Sequence, residues 1–263
     1  METNILKMIS IADIASLANA LSGLGAILAV LTGNTILSAQ LLLLAVVFDS
    51  VDGILARKFN EGPMHALFGE TIDSLADIVS FGVAPAIVIY MLTNNSLILI
   101  PVFLLVACGI LRLTRYNTLL AGQTSPTEVF IGLPIPSSSM IVALLILTSL
   151  ISFESMFILT IIISLLMISS IEYPKVRDMK VIVLTGILTL LCIIPNINEA
   201  LHSIPSYILL VLVLIYIFGL TIYNFIPANN YSISKLKVNN NVIDDISTIT
   251  RNSSKSKKDL HKK

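Results

Sequence analysis

The feature that most restricts how this chain can fold is a series of apolar runs, each about 20 residues long. A helix of that length crosses a hydrocarbon core about 30 Å thick. Of the 263 residues, 56% are hydrophobic and only 12% are charged, which is too little charge for the surface of a soluble domain of this size. The sequence therefore predicts an all-α fold, a polytopic transmembrane helical bundle.

Clusters of glycine, proline and asparagine divide the apolar sequence into about eight predicted spans. The spans are 12–32, 35–57, 66–92, 97–120, 134–152, 154–171, 180–196 and 204–226. After them the composition changes to Asn, Ser and Lys, which predicts a disordered polar tail. We accordingly divide the chain into a membrane domain at 1–180, two additional helices at 181–226, and the tail at 227–263.

The basic residues predict how these spans are oriented. All 16 lysines and arginines lie in or beside the segments that share one side of the membrane with the N-terminus, and the opposite loops have none. Because cytoplasmic segments carry such an excess of Lys and Arg, both termini are predicted to be cytoplasmic and the protein to lie in the cell membrane.

The composition disfavours a nucleic-acid partner and a site built from cysteines. The formal net charge is zero, so there is no electrostatic argument for a nucleic-acid partner. The two cysteines, Cys108 and Cys192, lie in apolar runs, where we expect them to be small buried hydrophobic side chains rather than part of a disulfide or a metal site.

Four aspartates lie inside the predicted spans, where ionisable side chains are costly and therefore indicate function. Asp49 and Asp52 stand near the end of the second span, and Asp73 and Asp77 near the start of the third. At about 100° per residue, each pair falls on one helix face, and antiparallel neighbours joined by a short loop can turn those faces towards each other. The sequence thus predicts four carboxylates that converge near the cytoplasmic surface.

Four anions packed together in a low-dielectric setting repel strongly unless protons or cations neutralise them. Carboxylate oxygens suit Mg²⁺, Mn²⁺ or Ca²⁺, and His65 is the one histidine or cysteine near the cluster, which argues against zinc. A single aspartate near a membrane end usually caps a helix, but capping does not explain four on two facing stripes. The pattern therefore predicts a divalent-metal site.

The two acidic segments, DSVDGILAR and GETIDSLAD, resemble the signature of the CDP-alcohol phosphotransferases, D-x-x-D-G-x-x-A-R followed by G-x-x-x-D-x-x-x-D. All eight signature positions are present, and the resemblance extends over residues 10–180. Members of this family transfer a lipid phosphate from a CDP-activated lipid to an alcohol and release CMP. The resemblance therefore implies a phospholipid synthase that uses two divalent ions, Mg²⁺ or Mn²⁺, with Ca²⁺ as a further alternative.

The resemblance also implies roles for single residues. Asp49, Asp52 and Asp73 would bind the metals, and Asp77 would share in that site and accept the proton of the attacking alcohol. The expected contacts to the CDP-lipid are the remaining signature residues and one asparagine of the first span, namely Gly53, Ala56, Arg57, Gly69 and Asn19. The alternative for the asparagine is a helix–helix hydrogen bond.

Segments beyond the signature resemble the phosphatidylserine and archaetidylserine synthase branch of the family. They are IVSFGVAPA after Asp77, then RLTRYN, GLPIPSSS and SSIEYPKV. Position 78 is isoleucine, whereas the branches that use glycerol phosphate or inositol phosphate usually place a cation there. The resemblance implies L-serine as acceptor, CDP-diacylglycerol or CDP-archaeol as donor, and, as is common among relatives, a homodimer.

Arg112, Arg115 and Asn117 are the candidates for binding serine, because a guanidinium group matches a carboxylate. The two arginines could equally be a basic flank near lipid headgroups. Residues 137–139 are weaker candidates, since serines in spans usually bond to their own helix. Two other functions stay open: the same chemistry with glycerol 3-phosphate or inositol phosphate as acceptor, and a cation transporter, which the clustering of the acids towards one membrane face disfavours.

Overall fold

The regular structure of the chain is almost entirely helical, which confirms the all-α prediction. The computed structural model describes residues 5–58, 63–93, 95–120, 129–175, 178–194, 196–219 and 221–222. The predicted tail at 227–263 lies outside the described residues, and the domain boundaries at 180 and 226 stay predictions.

The helices follow one another along the chain. They are α1 (Ile5–Met8), α2 (Ile11–Leu31), α3 (Thr35–Lys58), α4 (Pro63–Asp77), a π-helical turn (Ile78–Val83), α5 (Ala84–Thr93), a 3₁₀ turn (Ser96–Ile98), α6 (Leu99–Leu120), α7 (Pro136–Leu147), α8 (Phe153–Ile168), α9 (Met179–Ile193), α10 (Ile197–Ala200), α11 (Ile204–Leu214) and a second π-helical turn (Ile215–Gly219). The predicted third span is thus two α-helices joined through a π-helical turn.

The described helices include four that are long and apolar enough to cross a membrane, and four shorter apolar ones follow. The long ones are Ile11–Leu31, Thr35–Ala56, His65–Thr93 and Ser96–Leu119. The shorter ones are Pro136–Leu147, Phe153–Ile168, Lys180–Ile193 and Ile204–Gly219. All of them coincide in order with the predicted spans. The polytopic membrane fold is therefore confirmed, whereas the number of spans that cross fully and the cytoplasmic termini stay predictions.

Helices α2 and α3 pack along each other over most of their length. The turn between them uses Gly33 at φ 82°, a left-handed backbone conformation that glycine adopts without steric cost. Ala26 and Ala39 are fully buried, and Ser38 Oγ donates to the Ala26 carbonyl at 2.9 Å across the pair. Small residues let membrane helices approach closely, and this approach holds the start of α2 beside the end of α3.

Helix α7 lies at the centre of the bundle. Every residue from Ile141 to Leu147 is buried, and the helix packs against α3, α11 and the π-helical turn at Ile78–Val83. A helix that is apolar and buried on all sides is a core element. Its first turn, which contains Ser137, Ser138 and Ser139, therefore faces the protein interior rather than lipid.

A two-stranded antiparallel sheet, which the sequence did not predict, joins two of the connections. Strands β1 (Val129–Ile131) and β2 (Glu172–Pro174) pair with Phe130 opposite Tyr173. Strands of three residues carry too little periodicity to be recognised in a sequence. The sheet closes the connection between α6 and α7 against the connection between α8 and α9.

Candidate metal centre

Three helices bring the four aspartates together. Helix α3 carries Asp49 and Asp52, and the end of α4 carries Asp73 and Asp77. Contact between α3 and α4 is slight, while α2 packs along both of them. The predicted convergence of the four carboxylates is present, but it depends on α2 as a third helix and not on a direct pairing of α3 with α4. These four residues are called the acid cluster below.

The carboxylates are close enough to share one ion. Asp49, Asp52 and Asp73 each offer one oxygen, and these three oxygens lie within 4.8 Å of one another. Asp77 is 6% exposed, and its carboxylate interacts electrostatically with that of Asp49. All four acids therefore belong to one constellation.

The cluster fits a hard divalent cation. Its ligand atoms are all carboxylate oxygens, the donor type that Mg²⁺, Mn²⁺ and Ca²⁺ prefer. Among the residues that the structure describes, Oδ1 of Asp73 is buried without a hydrogen-bond partner. A buried carboxylate oxygen without a partner is costly, and a bound cation would remove that cost.

Helix α2 supplies a second layer of contacts around the acid cluster. Ser16 Oγ donates to Oδ2 of Asp52 at 2.8 Å, and Asn19 Nδ2 donates to Oδ1 of Asp77 at 3.2 Å. Both α2 residues are buried. Such outer contacts orient the ligands of a metal site. Sequence reasoning assigned Asn19 to the nucleotide with a helix–helix hydrogen bond as the alternative, and the structure shows such a bond, from α2 to α4. It missed Ser16, although two polar residues three apart on an apolar helix were a usable signal.

The remaining signature residues lie near this site, but not all of them are part of it. Gly53 is half-buried beside Asp52, while Ala56 is exposed near the end of α3. A Cβ placed on Gly69 would lie 3.1 Å from Oδ1 of Asp13, so this glycine lets α4 approach the start of α2. The side chain of Arg57 lies outside the described part of the chain.

Arg112 is a buried cation at the edge of the acid cluster. It is 6% exposed and interacts electrostatically with Asp49, Asp73 and Asp77. Its guanidinium carbon lies 5.4 Å from the centre of the Tyr116 ring and 5.7 Å from that of another ring, Phe130. Its Nε is buried with no partner among the described residues. Arg112 is thus a buried cation that has one unpartnered N–H and that interacts with three of the four carboxylates.

Arg115, one turn further along α6, has a different environment. Its two terminal nitrogens donate to four backbone carbonyls, those of Ile131, Met167, Ile168 and Ser169, at 2.7 to 3.1 Å. This uses four of the five N–H donors that a guanidinium has. Arg115 therefore ties β1 to the end of α8.

Asn117, the third candidate for serine binding, is also engaged. Its Nδ2 donates to Ser74 Oγ at 2.8 Å, and the side chain is otherwise exposed. The contact links α6 to α4 one residue away from Asp73. Of the three predicted serine contacts, only Arg112 lies among the acid cluster.

Comparison with known proteins connects this geometry to a family. Residues 9–219 match the family described as CDP-alcohol phosphatidyltransferase. The match includes the acid cluster, the α2 contacts and Arg112.

Three curated relatives illustrate the similarity. An archaetidylserine synthase of Methanothermobacter thermautotrophicus is 42% identical over 182 residues, which cover 68% of this chain and 75% of that protein. A CDP-diacylglycerol–serine O-phosphatidyltransferase of Methanocaldococcus jannaschii is 36% identical over 223 residues, 84% of this chain and 97% of that protein. A protein of the same description from Mycobacterium leprae is 42% identical over 100 residues, 36% of this chain and 32% of that protein.

Proposed function

Since the chain belongs to the CDP-alcohol phosphatidyltransferase family, we propose that it transfers a phosphatidyl or archaetidyl group from a CDP-activated lipid to the hydroxyl of L-serine. CMP is the second product. The observation that carries this proposal is the acid cluster, with its buried unpartnered carboxylate oxygen, in a chain whose relatives are named for serine transfer.

The reaction balances without a further reactant. The serine Oγ forms a bond to the phosphorus that bears the lipid, and the bond from that phosphorus to the bridging oxygen breaks. The bridging oxygen leaves on CMP with the electron pair. The proton of the serine hydroxyl passes to a carboxylate of the protein.

The residues of the acid cluster divide these tasks. Asp49, Asp52 and Asp73 hold the divalent ions, which when bound offset the charge of the pyrophosphate and of the leaving CMP. Asp77 accepts the proton, because a serine hydroxyl attacks poorly unless a base takes its proton as the bond forms. Asn19 holds one oxygen of Asp77 through its amide, which fixes the direction of the other.

Arg112 is the residue that we assign to the serine carboxylate. A guanidinium group binds carboxylates with strong directional hydrogen bonds, and Arg112 has a buried unpartnered Nε beside the acid cluster. Arg115 is less suited, because its terminal nitrogens already donate to four carbonyls. The predicted orientation puts this site on the cytoplasmic side of the cell membrane.

Another alcohol within the same family is the main alternative. A phosphorylated alcohol needs a cation for its extra phosphate, and the position after Asp77 is Ile78, whose side chain lies against Gly109 of α6. This apolar contact favours serine over glycerol 3-phosphate or inositol phosphate. The transporter alternative loses support, because the four acids form one cluster rather than a path.

The test is CMP release by the purified protein with Mn²⁺ or Mg²⁺. CDP-diacylglycerol and CDP-archaeol are each offered with L-serine, glycerol 3-phosphate or inositol phosphate. Release that depends on serine and on the metal is expected. Release with glycerol 3-phosphate alone would transfer the proposal to that alcohol, and no release with any alcohol would contradict an enzymatic function of the acid cluster.

A further inference from the structure

The backbone changes its helical form directly after Asp77. In the turn at Ile78–Val83 hydrogen bonds reach back five residues instead of four, and the turn ends where the Ala84 N–H donates to the Val79 carbonyl. Single π-helical turns inside α-helices are rare and are often found at functional sites. Here the next residue is Pro85, which has no N–H and whose ring clashes with the carbonyl four residues before it.

The combination of the π-helical turn and the proline removes the helical donors of two successive carbonyls. The carbonyl of Ser80 would accept from Ala84 in an α-helix, but that N–H is used by Val79, and the residue five positions on is Pro85. The carbonyl of Phe81 loses its α-helical donor because that position is also Pro85. In a membrane span, an unsatisfied carbonyl costs several kcal/mol.

Two serines at the start of α7 supply the missing donors. Ser139 Oγ donates to the Ser80 carbonyl at 2.7 Å. Ser138 Oγ contacts the Phe81 carbonyl, and it also lies 2.9 Å from Ile135 O in its own turn. Both serines are at most 1% exposed. Their hydroxyl protons are committed to the protein, which argues against substrate binding by Ser138 and Ser139.

The same turn is connected to the acid cluster through α2. Ser80 Oγ donates to the Asn19 carbonyl at 2.8 Å, and the Asn19 amide donates to Asp77. A Cβ placed on Gly23 would lie 2.7 Å from the Ser80 Cα, so α2 and the turn are in backbone contact. A shift of the turn would therefore move both the backbone that carries Asp77 and the amide that orients it.

We propose that Ser139, assisted by Ser138, is a positioning residue that fixes the π-helical turn and thereby the Asp77 carboxylate. This inference rests on the proposed function, in which Asp77 takes the serine proton. Ser139 carries the larger share, because its hydroxyl serves the turn alone while that of Ser138 is shared with its own helix. In this role neither serine needs to touch the substrate.

The first experiment compares Ser139→Ala with Ser164→Ala in the full chain. Ser164 is also fully buried, but its hydroxyl donates within its own helix, to Thr160 O at 2.7 Å. We expect Ser139→Ala to lower kcat about tenfold or more, because small misplacements of a reacting group are costly. The KM for serine and the affinity for Mn²⁺ should be unchanged, and Ser164→Ala should keep the kcat of the unaltered protein.

The outcomes separate positioning from plain packing. An unchanged kcat in Ser139→Ala would overturn the inference. A rise in KM and a loss of Mn²⁺ affinity in parallel with kcat would also overturn it, since a general packing defect acts on all three. Ser138→Ala should give a smaller loss of kcat than Ser139→Ala.

The second experiment tests the role of the proline. In Pro85→Ala an N–H returns at position 85, where it can reach the carbonyl of Phe81 or of Ser80. The fold-loss of kcat caused by Ser139→Ala should therefore be smaller in the Pro85→Ala background than in the unaltered chain. Equal losses in the two backgrounds would contradict the proposed origin of the serine requirement.

A third measurement does not need turnover. Amide hydrogen exchange at residues 78–83 should become faster in Ser139→Ala than in Ser164→Ala, because the turn has lost a fixed contact. If the unaltered protein releases no CMP with any alcohol, the proposed function fails, and the exchange result still decides whether Ser139 holds the turn. Unchanged exchange there would overturn the inference.

Discussion

Two of the buried polar groupings among the described helices differ in whether their polar atoms are satisfied by one another. The hairpin cluster, Cys192, Asn198 and Ser206, lies between α9 and α11; Ser206 Oγ is 2.8 Å from Asn198 Oδ1 and 3.3 Å from Cys192 Sγ. Its members are neutral. The acid cluster is charged, and among the described residues it retains an unpartnered oxygen on Asp73.

This difference indicates where function lies in the bundle. A neutral grouping that satisfies itself stabilises a helix pair and needs nothing further. A grouping of four carboxylates beside a buried arginine is costly as it stands, and a cation and an anionic substrate would complete it. Substitutions should therefore affect turnover at the acid cluster and only stability at the hairpin cluster.

The largest effect is expected for Asp73→Asn. The substitution keeps the shape of the side chain but removes a charge from the group that holds the ions. Mn²⁺ binding, followed by electron paramagnetic resonance, should fall by at least about 100-fold, since even outer contacts of metal sites are worth 10–100-fold. The rate of CMP release should fall by more than the factor of about 10²–10⁴ that a proton-transfer residue contributes to a rate.

A matched control for that variant is Asp178→Asn. Asp178 is exposed and caps the start of α9 by accepting from the Lys180 N–H at 2.9 Å, a role that asparagine also performs well. Mn²⁺ binding and turnover should not change. Retained Mn²⁺ binding in Asp73→Asn would mean that the acid cluster is not the metal site.

The second-largest effect is expected for Asp77→Asn, which separates proton transfer from metal binding within the acid cluster. Asp77→Asn keeps an oxygen for the Asn19 amide and leaves Asp49, Asp52 and Asp73 intact. CMP release should fall by about 10²–10⁴-fold because the proton acceptor is lost, while Mn²⁺ still binds. Near-normal turnover would remove Asp77 from the role of base.

The convergence of the acid cluster could be predicted from the sequence because helical periodicity alone puts Asp49 with Asp52 and Asp73 with Asp77 on single faces. The contacts that hold these acids could not be. Ser139 and Ser80 are 59 positions apart, and Arg115 bonds to carbonyls up to 54 positions away. Such pairings depend on how α7 and α8 pack, which no local pattern specifies.

The same limit explains the two arginines of α6. Both are basic residues three positions apart near the end of one span, so sequence reasoning treated them alike, as serine contacts or as a basic flank. The structure separates them, since the short sheet and the end of α8 present carbonyls to Arg115 while Arg112 turns towards the acid cluster. The sheet that makes the difference was itself not predictable.

The third prediction tests whether Arg112 and Arg115 have different roles. Arg112→Lys removes the planar set of donors but keeps the charge, and the KM for serine should rise about tenfold, at the low end of what a hydrogen bond to a charged group is worth. In Arg115→Lys the ammonium group has three donors for four carbonyls, so the melting temperature should fall while the KM for serine is unchanged. The reverse pattern would assign serine to Arg115.

The smallest effect is expected at the hairpin cluster. Ser206→Ala removes the donor to Asn198, and hydrogen bonds between membrane helices are worth about 0.6 kcal/mol on average. For a chain of this size that corresponds to a fall in melting temperature of about 1–3 °C. The kcat, both KM values and the affinity for Mn²⁺ should not change, because the hairpin cluster lies on α9, α10 and α11 while the acids lie on α3 and α4.

Ser164→Ala is also the control for Ser206→Ala. It removes a buried hydroxyl that bonds within its own helix, and so it shows how much stability the loss of a hydroxyl alone costs. A drop in melting temperature larger in Ser206→Ala than in Ser164→Ala would identify the α9–α11 contact as a stabilising one. A loss of turnover in Ser206→Ala at unchanged melting temperature would break the comparison, because it would mean that α9 and α11 transmit their packing to the site. Helix α11 packs on α7, and α7 presents Ser139 to the π-helical turn. A packing change at α11 can therefore reach the turn through α7, and the measurement decides whether it does.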